Sequence, residues 1–168
     1  MSPLAFDKQG KPFVGPAGVL LRRALRDASV KVDDVYITNA VKHFSWEPRG
    51  KRRIHKTPAQ REIEACRSWL EREIAHLKPK IIVALGNSAL QALMRARLKI
   101  GEARMRDDLR IGAARVVATY HPAAVLRAAD APTEDALYRN LVSDLRRAMR
   151  AASDDAKDDP ALGASSLH

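Results

Sequence analysis

The sequence predicts an α/β protein with three layers, in which helices cover both faces of a mainly parallel central sheet. Residues 80–86 form an apolar run that is typical of a strand buried on both faces of such a sheet, and the run 114–122 predicts another strand, which ends in a polar pair. Segments with the apolar spacing of amphipathic helices follow both runs. Because 168 residues suffice for one domain with its own core, we expect a single domain over residues 1–150.

The first element is a helix that follows a loop. Glycine and proline recur in residues 1–15, which is typical of irregular structure. Pro16 suits the first position of a helix, and apolar residues then recur at helical spacing to about Ser29. The inner side of this helix is predicted to hold Leu20, Leu21, Ala24 and Leu25.

A buried strand and a long connection come next. Residues 34–41 are rich in β-branched and aromatic side chains, which favour a strand. Residues 42–56 follow neither the helical nor the strand period, and so long a connection in a compact domain is usually functional or disordered. Thr57 then begins a helix with the pattern of a capping box, and its apolar spacing continues to Leu77.

The second half of the chain continues the alternation of strand and helix. A helical pattern over residues 87–96 follows the run 80–86, and an amphipathic helix is predicted over 133–150 after the run 114–122. Residues 151–168 have no apolar face, which predicts a disordered tail.

The charge of the chain favours a polyanionic partner. The 30 Lys and Arg residues outnumber the 20 Asp and Glu residues, which gives a net charge of +10 at pH 7. A positive potential attracts phosphate, so nucleic acid is the first candidate, and a generally basic surface is the alternative. Cys66 is the only cysteine, which excludes an internal disulfide, and no apolar run approaches the roughly 20 residues that span a bilayer. We expect a cytoplasmic monomer with no membrane partner.

Polar residues mark the points where the predicted strands end. Ligands of parallel sheets bind beyond the carboxyl ends of the strands, so the side chains at these ends are expected to meet. Asn39 could read the edge of a pyrimidine base, or cap a turn. His121 could stabilise charge that develops on a ligand carbonyl, or hold a loop.

Two further features could contact a nucleic acid. Phe13 precedes the first helix, where its ring could stack on a base or pack on that helix as a hydrophobic staple. His55 lies among cations that could neutralise phosphates and disfavour protonation of the imidazole, which would leave a competent nucleophile. A solvated basic loop is the alternative. These cations are Arg49, Lys51, Arg52, Arg53 and Lys56.

Six motifs, read in order, resemble those of the uracil-DNA glycosylase superfamily. They are GKPFVGPAG, VYITNAVKH, KRRIHKTP, EACRSWL, IIVALG and YHPAAVLR. Their order and spacing are similar to those of the iron-sulfur enzymes of family four, and KRRIH is similar to the insertion loop of the UdgX group. The resemblance runs from about Gly10 to Arg147 and implies the uracil-DNA glycosylase-like form of the predicted α/β fold.

The resemblance also implies roles for individual residues, with uracil-containing DNA, preferably single-stranded, as the partner. In this superfamily uracil is flipped out of DNA; here Phe13 would stack on it and Asn39 would read its edge. His121 would stabilise the departing uracil anion. In the UdgX group the loop histidine bonds to C1′ of the sugar. By this match His55 would be the nucleophile, and Arg53 would help to position the loop. The other four cations would bind the DNA backbone.

Several parts of the family pattern are absent from this chain. The family has an acidic GExPG-like motif after its first strand and an N-terminal cysteine pair. We expect either a true start upstream of Met1 or a truncated relative that lacks the first strand and both features and has an impaired site. The two later cluster ligands of the family match His43 and Cys66. Two ligands cannot hold a [4Fe-4S] cluster, so the metal site is expected to be incomplete or absent here. Ala123 also replaces a serine expected after the HP pair.

The leading hypothesis is therefore cleavage of the bond between uracil and its sugar, with covalent capture of the abasic sugar by His55, in DNA base-excision repair. Two alternatives stay open. One is ordinary uracil excision without a stable adduct, and the other is a catalytically impaired remnant that only binds DNA.

Overall fold

The computed structural model describes residues 15–38 and 70–157, together with the backbone of residues 46–49 and 52–55. Its first element is helix α1, Pro16–Asp27, which follows Gly15 and has proline in its first turn. The four residues predicted for its inner side are all buried. Ser29 has a φ of +62°, in the left-handed region, just beyond the end of the helix. The first predicted helix is confirmed, and it ends slightly earlier than expected.

The strand predicted over residues 34–41 is wrong in its described part. Val32–Asp34 form a 3-10 turn, and residues 35–38 belong to no strand. An extended segment becomes a strand only when a neighbour pairs with its backbone, and none of the described strands pairs with this segment. Residues 39–41 lie outside the described part of the chain.

The connection predicted to be irregular contains a β-hairpin. Strand β1, Trp46–Arg49, pairs antiparallel with strand β2, Arg52–His55. Trp46 is opposite His55 in this register, and Arg49 is opposite Arg52. Two residues separate the strands, the commonest length of a hairpin connection. The hairpin was not predicted, because such short strands show too little alternation of apolar and polar side chains to be recognised.

A small mixed sheet lies at the centre of the second half of the chain. Strands β3, Ile81–Leu85, and β5, Ala114–Thr119, pair in parallel, as predicted. Strand β4, Arg110–Ile111, pairs antiparallel with β5, which gives the order β3-β5-β4. Gly112 has a φ of +55° in the tight turn between β4 and β5, where glycine avoids the steric cost of a side chain. The short β4 was not predicted.

Among the described residues, four helices lie between α1 and the last helix of the chain. Residues 70–77 form helix α2, the described end of the helix predicted from Thr57. Helix α3, Gly86–Met94, follows β3, and the short helices α4, Ile100–Ala103, and α5, Pro122–Leu126, lie before β4 and after β5.

The last helix, α6, spans Ala131–Lys157. It therefore continues past the boundary predicted at residue 150, and the first part of the predicted tail is helical. Ser153 Oγ donates a hydrogen bond to the Met149 carbonyl oxygen within this extension. An amphipathic helix can extend beyond its apolar face, because each further residue adds one backbone hydrogen bond. Residues 158–168 lie outside the described part.

Two apolar clusters cover opposite faces of the sheet. Ala84 belongs to a cluster with Leu90 of α3, whereas its neighbour Leu85 belongs to a cluster with Leu141 of α6. Successive side chains of a strand point to opposite faces, so the sheet is covered on both sides by helices. Helices α2, α3 and α4 contribute to the first cluster, and α1, α5 and α6 to the second. This arrangement confirms the three-layer α/β fold.

Candidate active site

His121 lies where strand β5 ends and helix α5 begins. The strand ends at Thr119, Tyr120 follows, and His121 is the N-cap of α5 with Pro122 in the first turn of the helix. The Ala123 amide donates a hydrogen bond of 2.9 Å to His121 Nδ1. A strand exit followed by a short helix therefore presents this ring in one orientation, at the edge of the sheet where the sequence predicted it.

The surroundings of His121 keep its ring neutral. The residue is only 8% exposed. Burial, assisted by the positive charge of Arg127, lowers the pKa of His121 from 6.5 to about 3. Because Nδ1 accepts the hydrogen bond from Ala123, the neutral ring carries its proton on Nε2. His121 is thus a neutral donor, suited to stabilise negative charge that develops on an acceptor.

The exit of strand β3 lies against the same histidine. Gly86 begins helix α3 with a φ of +85°, and a Cβ added to it would lie 3.0 Å from His121 Cβ. Only a residue without a side chain lets the two segments approach so closely. The predicted meeting of strand exits is confirmed for β3 and β5. Asn87, the next residue, accepts a hydrogen bond of 3.2 Å from the Ile100 amide, which is a structural role.

A buried ion pair lies next to the end of strand β5. Arg104 donates two hydrogen bonds to the carboxylate of Asp144, from Nε to Oδ2 at 3.0 Å and from Nη2 to Oδ1 at 3.1 Å. Thr119 Oγ1 donates a third, of 2.7 Å, to Asp144 Oδ2. Sequence reasoning missed this cluster. The sequence feature that could have indicated it is Asp144, a carboxylate between Leu141 and Leu145 on the buried face of α6.

The other predicted site residues are less fully described. The backbone of β1 and β2 places Arg49, Arg52, Arg53 and His55 on the hairpin, where Arg49 is opposite Arg52, Arg53 is opposite Pro48 and His55 is opposite Trp46. Phe13, Asn39, Lys51 and Lys56 lie outside the described residues. Among the predicted chemical residues, only His121 has a described side-chain environment, and whether the others meet it stays a prediction.

The donor set for an iron-sulfur cluster does not fit this chain. His43 and Cys66, the two predicted ligands, lie outside the described residues. The given sequence holds one cysteine, against the four ligands that a [4Fe-4S] cluster takes. The described residues also contain no group of three or more His, Cys, Asp and Glu side chains that could hold a metal ion. No chemical step is therefore assigned to a cluster.

An apolar cavity of about 520 Å³ lies away from His121. It is lined by residues 35–38, by the beginning of β3 and by side chains of α1, α2, α3 and α6. No residue of the β5 exit or of α5 lines it. Its lining also includes the polar residues Asp34, Thr38, Glu73 and Lys80, and none of these belongs to the strand exit that carries His121.

Comparison with known proteins gives a consistent result. A family model described as the uracil DNA glycosylase superfamily matches residues 2–146. A type-4 uracil-DNA glycosylase of Pyrobaculum aerophilum is 43% identical over 128 residues, which cover 72% of this chain and 62% of the relative. The type-4 enzyme of Thermotoga maritima is 35% identical over 143 residues, covering 84% and 69%. That of Archaeoglobus fulgidus is 36% identical over 131 residues, covering 71% and 60%.

The chain thus spans about six to seven tenths of the length of these relatives. None of its described helices is both long and apolar enough to cross a membrane.

Proposed function

Because the chain belongs to the uracil-DNA glycosylase superfamily, we propose that it removes uracil from DNA in base-excision repair. The reaction is hydrolysis of the bond between N1 of the base and C1′ of the deoxyribose. The observation that carries this proposal is His121, a buried and neutral histidine at the carboxyl end of a parallel strand, with its proton on Nε2. The names of the relatives agree with it.

The chemistry follows from where charge develops. As the bond breaks, its electron pair leaves with uracil, and the sugar becomes an oxocarbenium ion. A donor aimed at a uracil carbonyl oxygen stabilises the departing anion, and low dielectric surroundings strengthen that hydrogen bond. His121 Nε2–H would supply it without giving up its proton. Water then adds to C1′, and uracil takes a proton from the solvent.

Recognition of the flipped base is assigned to Asn39 and Phe13, because the VYITNAVKH and GKPFVGPAG motifs that contain them resemble those of the superfamily. Asn39 would pair with the uracil edge, since a side-chain amide both donates and accepts hydrogen bonds. Phe13 would stack on the ring, in the way that aromatic side chains bind unpaired bases. The cations of the hairpin segment, Arg49, Lys51, Arg52 and Lys56, would contact phosphates.

The finer proposal concerns His55, the last residue of β2. The unprotonated ring nitrogen of His55 would attack C1′ in place of water and form an N–C1′ bond, while the bond to uracil breaks and its electron pair leaves with the base. The other ring nitrogen would then release its proton to the solvent. The abasic sugar would then stay attached to the protein, with Arg53 placing the hairpin. The support is the KRRIH sequence, which resembles the loop of the UdgX group, and the cationic surroundings that disfavour a protonated ring.

A denaturing gel, combined with a measurement of free uracil, tests both uracil excision and covalent capture by His55. Protein is incubated with uracil-containing single-stranded DNA, and free uracil is measured in parallel. We expect a shifted band that survives denaturation, disappears in His55→Ala and persists in His76→Ala, a matched change at an exposed histidine of α2. The His121→Asn variant should release uracil about 10²- to 10³-fold more slowly, the usual loss for one donor to a developing anion.

The other outcomes separate the alternatives. Free uracil without any shifted band would contradict covalent capture and leave ordinary excision. Binding to DNA with neither uracil nor adduct would contradict the glycosylase proposal and indicate a binding remnant.

The remaining proposals concern the setting of this activity. Single-stranded DNA is proposed as the preferred substrate, because a base outside a duplex need not be unpaired before it enters a site. A single cysteine agrees with a reducing, cytoplasmic setting, and we propose that the protein acts as a monomer.

A further inference from the structure

We propose that Asp144 is a positioning residue for His121, which it holds in place through Thr119 and Arg104. The proposal rests on the proposed function, because it concerns the same histidine. It differs in naming a carboxylate on the distant helix α6 that touches neither the base nor the sugar, and that acts on His121 only through its neighbours in the chain.

Both residues that precede His121 are held by this one ion pair. Thr119 is completely buried and donates its hydroxyl hydrogen bond to Asp144 Oδ2 at 2.7 Å. The guanidinium of Arg104, which is bound to the same carboxylate, lies 5.4 Å from the centre of the Tyr120 ring. The strand exit is therefore anchored at two successive side chains immediately before His121.

The backbone of Thr119 is fixed independently. It is paired with Leu85 in the parallel register of β3 and β5, and Gly86, the next residue of β3, lies against His121. The ion pair adds what the sheet does not supply, a connection between the β5 exit and the helix layer formed by α6. Three separate segments, the end of α4, the end of β5 and the middle of α6, converge on the Asp144 carboxylate.

Stability alone does not account for charges at this position. Asp144 is 3% exposed, and the Arg104 side chain is 14% exposed. Removing two such charges from water is costly, and apolar side chains of similar volume often give an equal or greater stability. What a bidentate pair supplies in addition is a fixed geometry. A defined orientation is what His121 needs to place its Nε2 proton within reach of a uracil oxygen.

Substitution at Thr119 tests this idea more cleanly than loss of Asp144, which would leave the Arg104 guanidinium buried without a partner. Thr119→Val keeps the shape of the side chain and removes the hydroxyl donor. Thr119→Ser keeps the donor and removes one methyl group. The first variant therefore removes the hydrogen bond from Thr119 to Asp144 and leaves the contacts of Arg104 in place, and the second is its matched control.

The first readout is hydrogen exchange at the Ala123 amide, which donates to His121 Nδ1, with the amide of buried Leu141 as an internal reference. Relative to Leu141, we expect Ala123 in Thr119→Val to exchange about tenfold faster, the factor for loss of one hydrogen bond of ordinary strength. Thr119→Ser should stay within about twofold of the unchanged protein. The single-turnover rate of uracil release should fall in the same pattern, with DNA affinity unchanged.

Two results would overturn the proposal. One is equal protection of Ala123 in both variants. The other is a loss that affects Ala123 and Leu141 alike, which would mean that Thr119 contributes to stability only. The exchange measurement needs no uracil chemistry. Failure of the unchanged protein to release uracil would therefore refute the proposed function and still leave the exchange result to decide the role of Asp144.

Discussion

At the residue scale, the backbone of helix α5 decides which nitrogen of His121 carries the proton. The Ala123 amide occupies Nδ1, and burial prevents the ring from charging near neutral pH. A protonated ring would need a second donor position that this hydrogen bond does not allow. One short segment thus sets both the tautomer and the charge of the residue on which the proposed chemistry depends.

This arrangement predicts a pH dependence of stability. The pKa of His121 lies at about 3 in the folded chain and at 6.5 when the ring is exposed, so the unfolded chain binds the extra proton in between. The free energy of unfolding should therefore fall by up to about 1.4 kcal/mol per pH unit as the pH drops below 6.5. Denaturant titrations at several pH values measure this fall.

The matched control is His121→Asn, whose side chain can still accept at the N-cap but does not titrate. The unchanged protein should lose stability relative to this variant as the pH falls, and the difference should be constant above pH 6.5. Parallel curves for the two proteins across that range would contradict a buried, neutral His121.

At the element scale, the junction between β3 and α3 is the place where backbone conformation limits the sequence most strictly. Gly86 has a φ of +85°, and a Cβ added to it would lie 3.0 Å from His121 Cβ. The helix and the histidine loop can share this position only because residue 86 has no side chain. Substitution of Gly86 should therefore disturb the site, although this residue takes no part in the proposed reaction.

Gly86→Ala should lower the free energy of unfolding by roughly 1–3 kcal/mol, the usual cost of a strained backbone position, and should also slow uracil release. Gly101→Ala is the matched control, because nothing lies within 4 Å of its added Cβ and the residue is in helix α4. That change should be neutral or stabilising by up to about 1 kcal/mol. Equal effects of the two substitutions in thermal and denaturant unfolding would refute the close approach at Gly86.

At the scale of the whole molecule, the net charge of +10 predicts DNA binding that weakens with salt. The proposed phosphate contacts lie on the hairpin segment, and some cations elsewhere in the described residues form ion pairs. Arg139 on α6, for example, lies 2.9 Å from Asp135 in an exposed ion pair. Equal losses of total charge can therefore have unequal effects on binding.

Arg52→Gln should reduce the slope of log affinity against log salt by about 0.7, the value for one phosphate contact with a single strand. Arg139→Gln removes the same charge and should leave the slope unchanged. Binding titrations over a range of salt concentrations give both slopes. The same reduction in both variants would show that total charge, and not the hairpin, governs the affinity.

Elements with a regular spacing of apolar residues could be predicted from the sequence, and so could the position of His121 at the end of a strand. Helix α1, strands β3 and β5 and helix α6 carry continuous apolar or amphipathic patterns, and the HP pair follows the β5 pattern directly. The β1–β2 hairpin and β4 are too short for a period to appear, and residues 34–38 have strand-forming side chains without a described neighbour to pair with.

The sequence by itself thus determined the α/β class, the family and the histidine at the strand exit, because these depend on patterns within a few tens of residues. Only the tertiary structure decided how that histidine is held. Gly86 meets His121 from another strand, and Arg104 reaches Asp144 across 40 positions of the chain. Such contacts leave no local pattern, because they depend on how strands and helices from separate segments pack together.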